Sequence, residues 1–520
     1  MYRERSGTMR KENSLKNFIT STVPFIILIF LGFWKVNVWQ NSLDADTYAI
    51  NQLFFQLFAY LSLAEAGIGA LVLKEYYRLF VENDKEEICI YYTLSKKMLQ
   101  KVCYVVMFMG VILSFFLKFL ANDNQLSLIH MQKIFLLFLA KSLVEYFMFS
   151  PRFVLQADQK LHKINLQMNF YKIVESILET VLIMLGVSYA SVLIMSFILR
   201  IIMNLHLNRI VFQEYPWLTE VQDTKHIKIS GMQHVLIYKI VSVIHQNVDL
   251  LLISSFVNPF AVIVYSNYKY ITKYVDDLLY QVGSSLTSSL GNLLNAEKNE
   301  KGFYTYEMIS TMFYFLATFL TVSLTFCINP FMKIWVGDGK LFDRVSLICM
   351  MFLFYHGVVR KPQYILKDIF GLYKELQMVS IAEAIINFVL SLILVQNYGI
   401  SGVLVASVLA MLVTNFWYFP LMLYRKIFDK SIWLDMGKYV VTTVITVAMI
   451  VLSFAIYPSI SSTGYIIWFL QSVVYAGVVL IVLGGVFYFV FKSFRRLVNQ
   501  CLELATCFLT KGEKKYDKEI

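Results

Sequence analysis

Apolar runs of about 20 residues, separated by short polar gaps, recur along the whole chain. A helix needs about that length of mostly apolar sequence to cross the hydrocarbon layer of a bilayer. Fourteen such spans are predicted. They lie near Phe18–Val38, Tyr48–Val72, Val102–Leu120, Ile134–Leu155, Leu166–Val187, Tyr189–Phe212, Val235–Val257, Phe260–Leu286, Tyr306–Phe326, Val345–Ile365, Met378–Gln396, Gly399–Leu423, Tyr439–Tyr457 and Tyr465–Phe491. The pattern therefore predicts an all-α polytopic membrane protein with about 14 transmembrane helices.

Composition supports lipid as the solvent. Of 520 residues, 58% are hydrophobic and 16% are charged, against about 25% charged in soluble domains. The six cysteines include no CxxC pair and fall in or beside apolar runs or in the tail, which argues against a disulfide framework or a zinc site. A net charge of +11 would suggest nucleic acid in a soluble chain, but here the placement of the basic residues matters more than their sum. They crowd into alternate gaps, and only Lys118, Lys133, Lys333, Lys340 and Arg344 lie in or beside the other set. By the positive-inside rule this puts both termini on the cytoplasmic side of the membrane.

The gaps are too short to house a nucleotide-binding domain, and the sequence contains no GxxxxGK[ST], HExxH or GxSxG run. No cofactor, metal site or catalytic residue is expected, so the chain reads as a non-enzyme. Asp44 and Asp46 in the first outer loop read as solvated carboxylates. The segment Lys492 to Leu509 reads as a basic amphipathic helix on the inner membrane surface.

Three stretches carry a family resemblance: TYAINQLFFQLFAYLSLAEAGIGALV at Thr47–Val72, NVDLLLISSFVNPFAVIVYSNYKYI at Asn247–Ile271, and EAIINFVLSLILVQNYGISGVLVASVL at Glu383–Leu409. The chain resembles the Wzx-like polysaccharide flippases of the multidrug/oligosaccharidyl-lipid/polysaccharide exporter superfamily. It departs from them at Asn258-Pro259-Phe260, where that family usually carries a glycine. The resemblance implies two pseudo-repeated six-helix bundles plus two C-terminal helices. The expected division is 1–17 as a cytoplasmic tail, 18–212 as the first bundle, 213–234 as a cytoplasmic linker, 235–423 as the second bundle, 424–491 as helices 13 and 14, and 492–520 as a basic cytoplasmic tail. Asn51 and Asn267 occupy matching places early in spans 2 and 8.

Charges inside such spans are costly, about 2.5 to 3.5 kcal/mol each on insertion scales, so each is a functional hypothesis with a partner to be named. Span 7 places Tyr238, Ser242, His245 and Asp249 on one stripe. Span 8 does the same with Ser266, Lys269, Lys273, Asp276 or Asp277, and Tyr280. Lys141 and Glu145 lie four apart in span 4, Glu175 and Glu179 in span 5, and Gln52 and Gln56 in span 2. Glu383, Asn387 and Ser391 continue the spacing in span 11, Lys35 lies near the outer end of span 1, and Arg360 ends span 10. Mutual neutralisation of Lys141 with Glu145, and of Lys273 with Asp277, is the plain alternative to a binding role.

With the resemblance, these residues imply a transporter of an undecaprenyl-pyrophosphate-linked oligosaccharide repeat unit used for surface polysaccharide. Lys269, Lys273, Lys35, Gln52, Gln56, Asn267, Tyr280 and Arg360 are the expected substrate-binding residues, with Lys269 and Lys273 clamping phosphate oxygens. Asp249, Asp276 and Glu383 are the expected sites for a coupling proton or sodium ion. The expected partners are the lipid-linked saccharide, membrane lipids and other polysaccharide-assembly proteins. Two rivals stand beside this reading: a cation-coupled small-molecule exporter of the same superfamily, and a membrane polysaccharide polymerase.

Overall fold

A computed structural model describes residues 20, 24–61, 75–76, 79–80, 82, 84–121, 124–158, 160–221, 241, 247–296, 300–456, 460 and 463–500, with the side chains of 60 and 281–301 excepted. Among the described residues the regular structure is helical throughout, with no strand. The helices are α1 (24–42), α2 (Ala45–Leu61), α3 (Lys85–Ser114), α4 (Leu128–Met148), α5 (Pro151–Ala157), α6 (His162–Met184), α7 (Tyr189–Glu214), α8 (Asn247–Phe256), α9 (Pro259–Ala296), α10 (Glu300–Val336), α11 (Arg344–Phe370), α12 (Tyr373–Val413), α13 (Asn415–Leu423), α14 (Trp433–Ile456) and α15 (Tyr465–Val490). A helix occupies the described part of every predicted span. Among the described residues six helical segments are long and apolar enough to cross a membrane, and α4 with α5 forms a further candidate bent by 58°. The chain is a multi-pass membrane protein. Tyr238, Ser242 and His245 lie outside the described residues, as does the tail beyond residue 500.

Local chemistry sets the helix ends. Asp84 accepts from the Glu87 amide at 3.0 Å, and Asp343 accepts from the amides of Val345 and Ser346 at 3.1 and 3.4 Å, so each carboxylate satisfies donors that the first turn leaves unpaired. Gly371 closes α11 in the left-handed region, with φ 64°. Gly399 breaks α12 with φ 52° and ψ −128°, a conformation that a β-carbon would strain. The two limbs then return alongside each other, since Asn387 donates to the Ser407 hydroxyl at 2.7 Å.

The chain divides into two compact units. One comprises residues 1–266 with 392–400, and the other 267–391 with 401–520. In the first unit α4 is central, packed on α3 and α7, while α6 also packs on α7. Its apolar interior includes Phe54 with its ring centroid 5.0 Å from that of Phe135, and Gly110, where a β-carbon would meet Leu139 at 2.5 Å. In the second unit α10 is the centre, flanked by α11, α14 and α15. Phe313, Phe326, Tyr475 and Phe487 fill the space among them.

Candidate functional site

In the first unit, three helices each present two polar side chains four residues apart. Spacing of i, i+4 puts both on one face. The pairs are Lys141 and Glu145 on α4, Glu175 and Glu179 on α6, and Ser196 and Arg200 on α7. Packing turns these faces toward one another. Lys141 Nζ lies 2.8 Å from Glu175 and 2.7 Å from Glu179. Arg200 reaches Glu175 at 2.9 Å through Nε and Glu145 at 2.8 Å through one terminal nitrogen. Lys35 of α1 also pairs with Glu179, which accepts a 2.5 Å bond from Ser196, and its ammonium stands 4.4 Å from the Trp39 ring centroid.

The order of contacts is Lys35, Glu179, Lys141, Glu175, Arg200, Glu145. Signs alternate along the chain, and the six charges cancel. Glu175 and Glu179 are 5% and 3% exposed. Carboxylates buried that deeply are tolerable only with compensating cations and hydrogen bonds. Lys141 and Glu145 do not neutralise each other along their own helix, because each finds its partner on a neighbouring helix that the packing brings closer.

In the second unit Arg360 of α11 is 1% exposed and lies 2.5 Å from Asp435 of α14, also 1% exposed. Gln363 donates to the same carboxylate at 3.1 Å, Tyr314 donates at 3.0 Å, and Arg360 gives a second bond to the Phe416 carbonyl at 3.2 Å. The guanidinium also stands 5.2 Å from the Tyr439 ring centroid. Asp435 lies only two residues inside α14, in the gap between the predicted spans that end at Leu423 and begin at Tyr439.

The remaining predicted residues occupy varied surroundings. Lys269 is half-buried, while Lys273 and Tyr280 are exposed. Asn267 is buried. Asp276 pairs with Lys361 at 2.8 Å, so a lysine on α11 supplies its partner. Asp249 is buried and accepts from the Tyr265 hydroxyl at 2.9 Å. Glu383 is buried and accepts from Asn415 across the α12 break. Gln52 and Gln56 are half-buried, and the Gln56 Oε1 atom is buried without a hydrogen-bond partner. The first unit thus brings Lys35, the one network member in the expected binding set, together with Lys141, Glu145, Glu175 and Glu179, and Arg200 is the charged member that the sequence reading did not single out. Its charge does interrupt an apolar run, which was the available signal.

The sequence matches no family model and no curated protein. Solved structures do match it. The lipid II flippase MurJ in an inward closed conformation superposes with a TM-score of 0.66 over 94% of this chain and 99% of its own, at 15% identity. An outward-facing multidrug resistance MATE family transporter of the MOP superfamily gives 0.56 over 79% and 94%, at 13% identity. A MOP superfamily transporter from Pyrococcus furiosus gives 0.55 over 77% and 93%, at 13% identity. The chain has the MOP transporter fold.

Proposed function

We propose that this protein is a flippase that carries an undecaprenyl-pyrophosphate-linked oligosaccharide repeat unit across the cytoplasmic membrane for surface polysaccharide assembly. The observation that supports this over a multidrug exporter is coverage. The likeness to a lipid-linked substrate flippase extends over 94% of the chain, whereas the likeness to the MATE transporter stops at 79%. The basic residues agree with it. A cavity for cationic drugs gains from carboxylates free of lysine, whereas Lys35 and Lys141 here sit directly against the carboxylates of the first unit.

In this reading the protein makes and breaks no covalent bond. The saccharide-pyrophosphate head enters from the cytoplasmic side, the polyprenyl tail stays in lipid, and alternating access exposes the head outside. Lys269 and Lys273 supply cations for the pyrophosphate, the amide side chains of Gln52, Gln56 and Asn267 hydrogen-bond the sugars, and Asp249, Asp276 or Glu383 takes the coupling proton or sodium ion. Both termini face the cytoplasm.

The deciding experiment reconstitutes the purified protein in vesicles and measures the transbilayer movement of a lipid-linked oligosaccharide beside the efflux of cationic dyes. Movement of the lipid-linked substrate alone supports the flippase. Dye efflux without it replaces this reading with the small-molecule exporter.

A further inference from the structure

The inner part of the first unit holds more positive charge than its carboxylates neutralise. Arg152, on the short helix α5, is 3% exposed. Its guanidinium donates to the Asn204 side chain, lies 5.2 Å from the Phe149 ring centroid, and leaves Nε buried without a partner. Lys172, half-buried on α6, lies one turn before Glu175, the carboxylate that Arg200 contacts, and Arg200 in turn lies one turn before Asn204, the partner of Arg152. Among the described residues neither Arg152 nor Lys172 has a carboxylate within ion-pair distance. Arg200 completes a set of three cations.

The carboxylates facing them are already committed or loosely held. Glu175 is shared between Lys141 and Arg200. Among the described residues Glu145 has an ion pair with Arg200 alone, at 2.8 Å, and its side chain is 39% exposed, against 7% for Glu175. A buried guanidinium without a paired carboxylate costs several kcal/mol, and one bond to Asn204 with a ring contact to Phe149 does not return all of that energy. A dianion placed among Arg152, Lys172 and Arg200 would, since charge-assisted hydrogen bonds to phosphate oxygens are roughly twice as strong as neutral ones.

We propose that Arg152, Lys172 and Arg200 form an anion site for a phosphate or diphosphate group, and that Glu145 holds Arg200 while the site is empty. On binding, the ligand's oxygens take over Arg200 and Glu145 turns outward. The site deepens the flippase reading, on which it rests only for its natural ligand, the diphosphate of the lipid-linked saccharide. It places a phosphate contact inside the first unit, apart from Lys269 and Lys273.

The test is calorimetric titration of inorganic pyrophosphate into the full-length protein in nanodiscs of zwitterionic lipid. Wild-type protein is expected to bind. Glu145→Gln removes the competing carboxylate and is expected to tighten binding by about tenfold, because a like charge facing a ligand is a strong penalty. Lys172→Gln and Arg152→Gln are expected to weaken it by about tenfold each, one charge-assisted contact apiece. Should Arg152→Gln fail to fold, Lys172→Gln at the half-buried position carries the same test. Repeating the titration in nanodiscs containing phosphatidylglycerol separates the two sources of phosphate. Loss of the pyrophosphate signal there assigns the site to membrane headgroups, and its persistence assigns it to a diphosphate. Binding that is absent in both wild type and Glu145→Gln, or unchanged by Lys172→Gln, overturns the site. Binding in the expected pattern by a protein that moves no lipid-linked saccharide keeps the site and removes the flippase reading.

Discussion

Arg360 and Asp435 form a fully buried ion pair, 2.5 Å apart, that joins α11 to α14 across 75 residues of sequence. Gln363 and Tyr314 complete the coordination of the carboxylate. Breaking such a pair from one side leaves a buried charge without compensation, which costs about 3 to 5 kcal/mol. Asp435→Asn or Arg360→Gln should therefore lower the thermal midpoint of the purified protein sharply. The double replacement Arg360→Met with Asp435→Leu should recover most of the loss, since an apolar pair of similar volume is often neutral. Transport by that double variant separates the two roles of Arg360. Recovered stability with no transport makes it a substrate contact as well as a packing residue, and recovery of both makes it structural.

Lys273 is exposed and Lys269 half-buried, four residues apart on α9. If they hold pyrophosphate, neutralising Lys273 should abolish complementation of a flippase-deficient strain while protein levels stay near normal. Adding Asp277→Asn should not rescue it. Restored complementation in the double variant would show that Lys273 serves only as a counterion for Asp277.

Asp249, Asp276 and Glu383 each have a partner: the Tyr265 hydroxyl, Lys361 and the Asn415 amide, respectively. A coupling carboxylate must exchange that partner for a proton or sodium ion during the cycle. At least one of Asp249→Asn, Asp276→Asn and Glu383→Gln should remove the pH or sodium dependence of transport in vesicles. Unchanged dependence in all three, at normal expression, leaves these carboxylates structural.

Asp343 caps α11 and also accepts from the hydroxyls of Ser346 and Ser401, the latter at 2.9 Å. Partial burial pushes its carboxyl up, but the side-chain bonds from Ser346 and Ser401 and the backbone bonds from Ser346 and Val345 outweigh this and hold it below the usual carboxylate range. The folded value is therefore the lower one. Its contribution is complete at neutral pH and is lost as pH falls through that value, below an unfolded value of about 3.9. Asp343→Ala should cost about 1 kcal/mol at pH 7, and the gap from wild type should narrow on acidification toward pH 3. A gap that stays constant with pH would mean that the carboxylate charge does not matter to the cap.

Hydropathy was enough to anticipate a helical multi-pass membrane protein and the approximate positions of the described helices. The property is local: about 20 apolar residues must form a helix in lipid because no water is present to satisfy an open backbone. The i, i+4 spacing likewise shows that Glu175 and Glu179, or Lys141 and Glu145, share a face. What that face meets depends on how each helix is rotated and on which neighbour it packs against, and sequence spacing carries neither. Lys141 accordingly looks satisfied by Glu145 on the sequence alone, yet it pairs with Glu175 and Glu179 on α6 while Glu145 goes to Arg200 on α7. Asp435 falls in the gap between the predicted spans that end at Leu423 and begin at Tyr439, and packing buries it against Arg360. A charge is expensive in lipid wherever it lies, so sequence can locate the costly positions. Only the fold, by bringing side chains of distant helices within 3 Å of one another, selects the counterion for each and, among the described residues, leaves Arg152 and Lys172 without one.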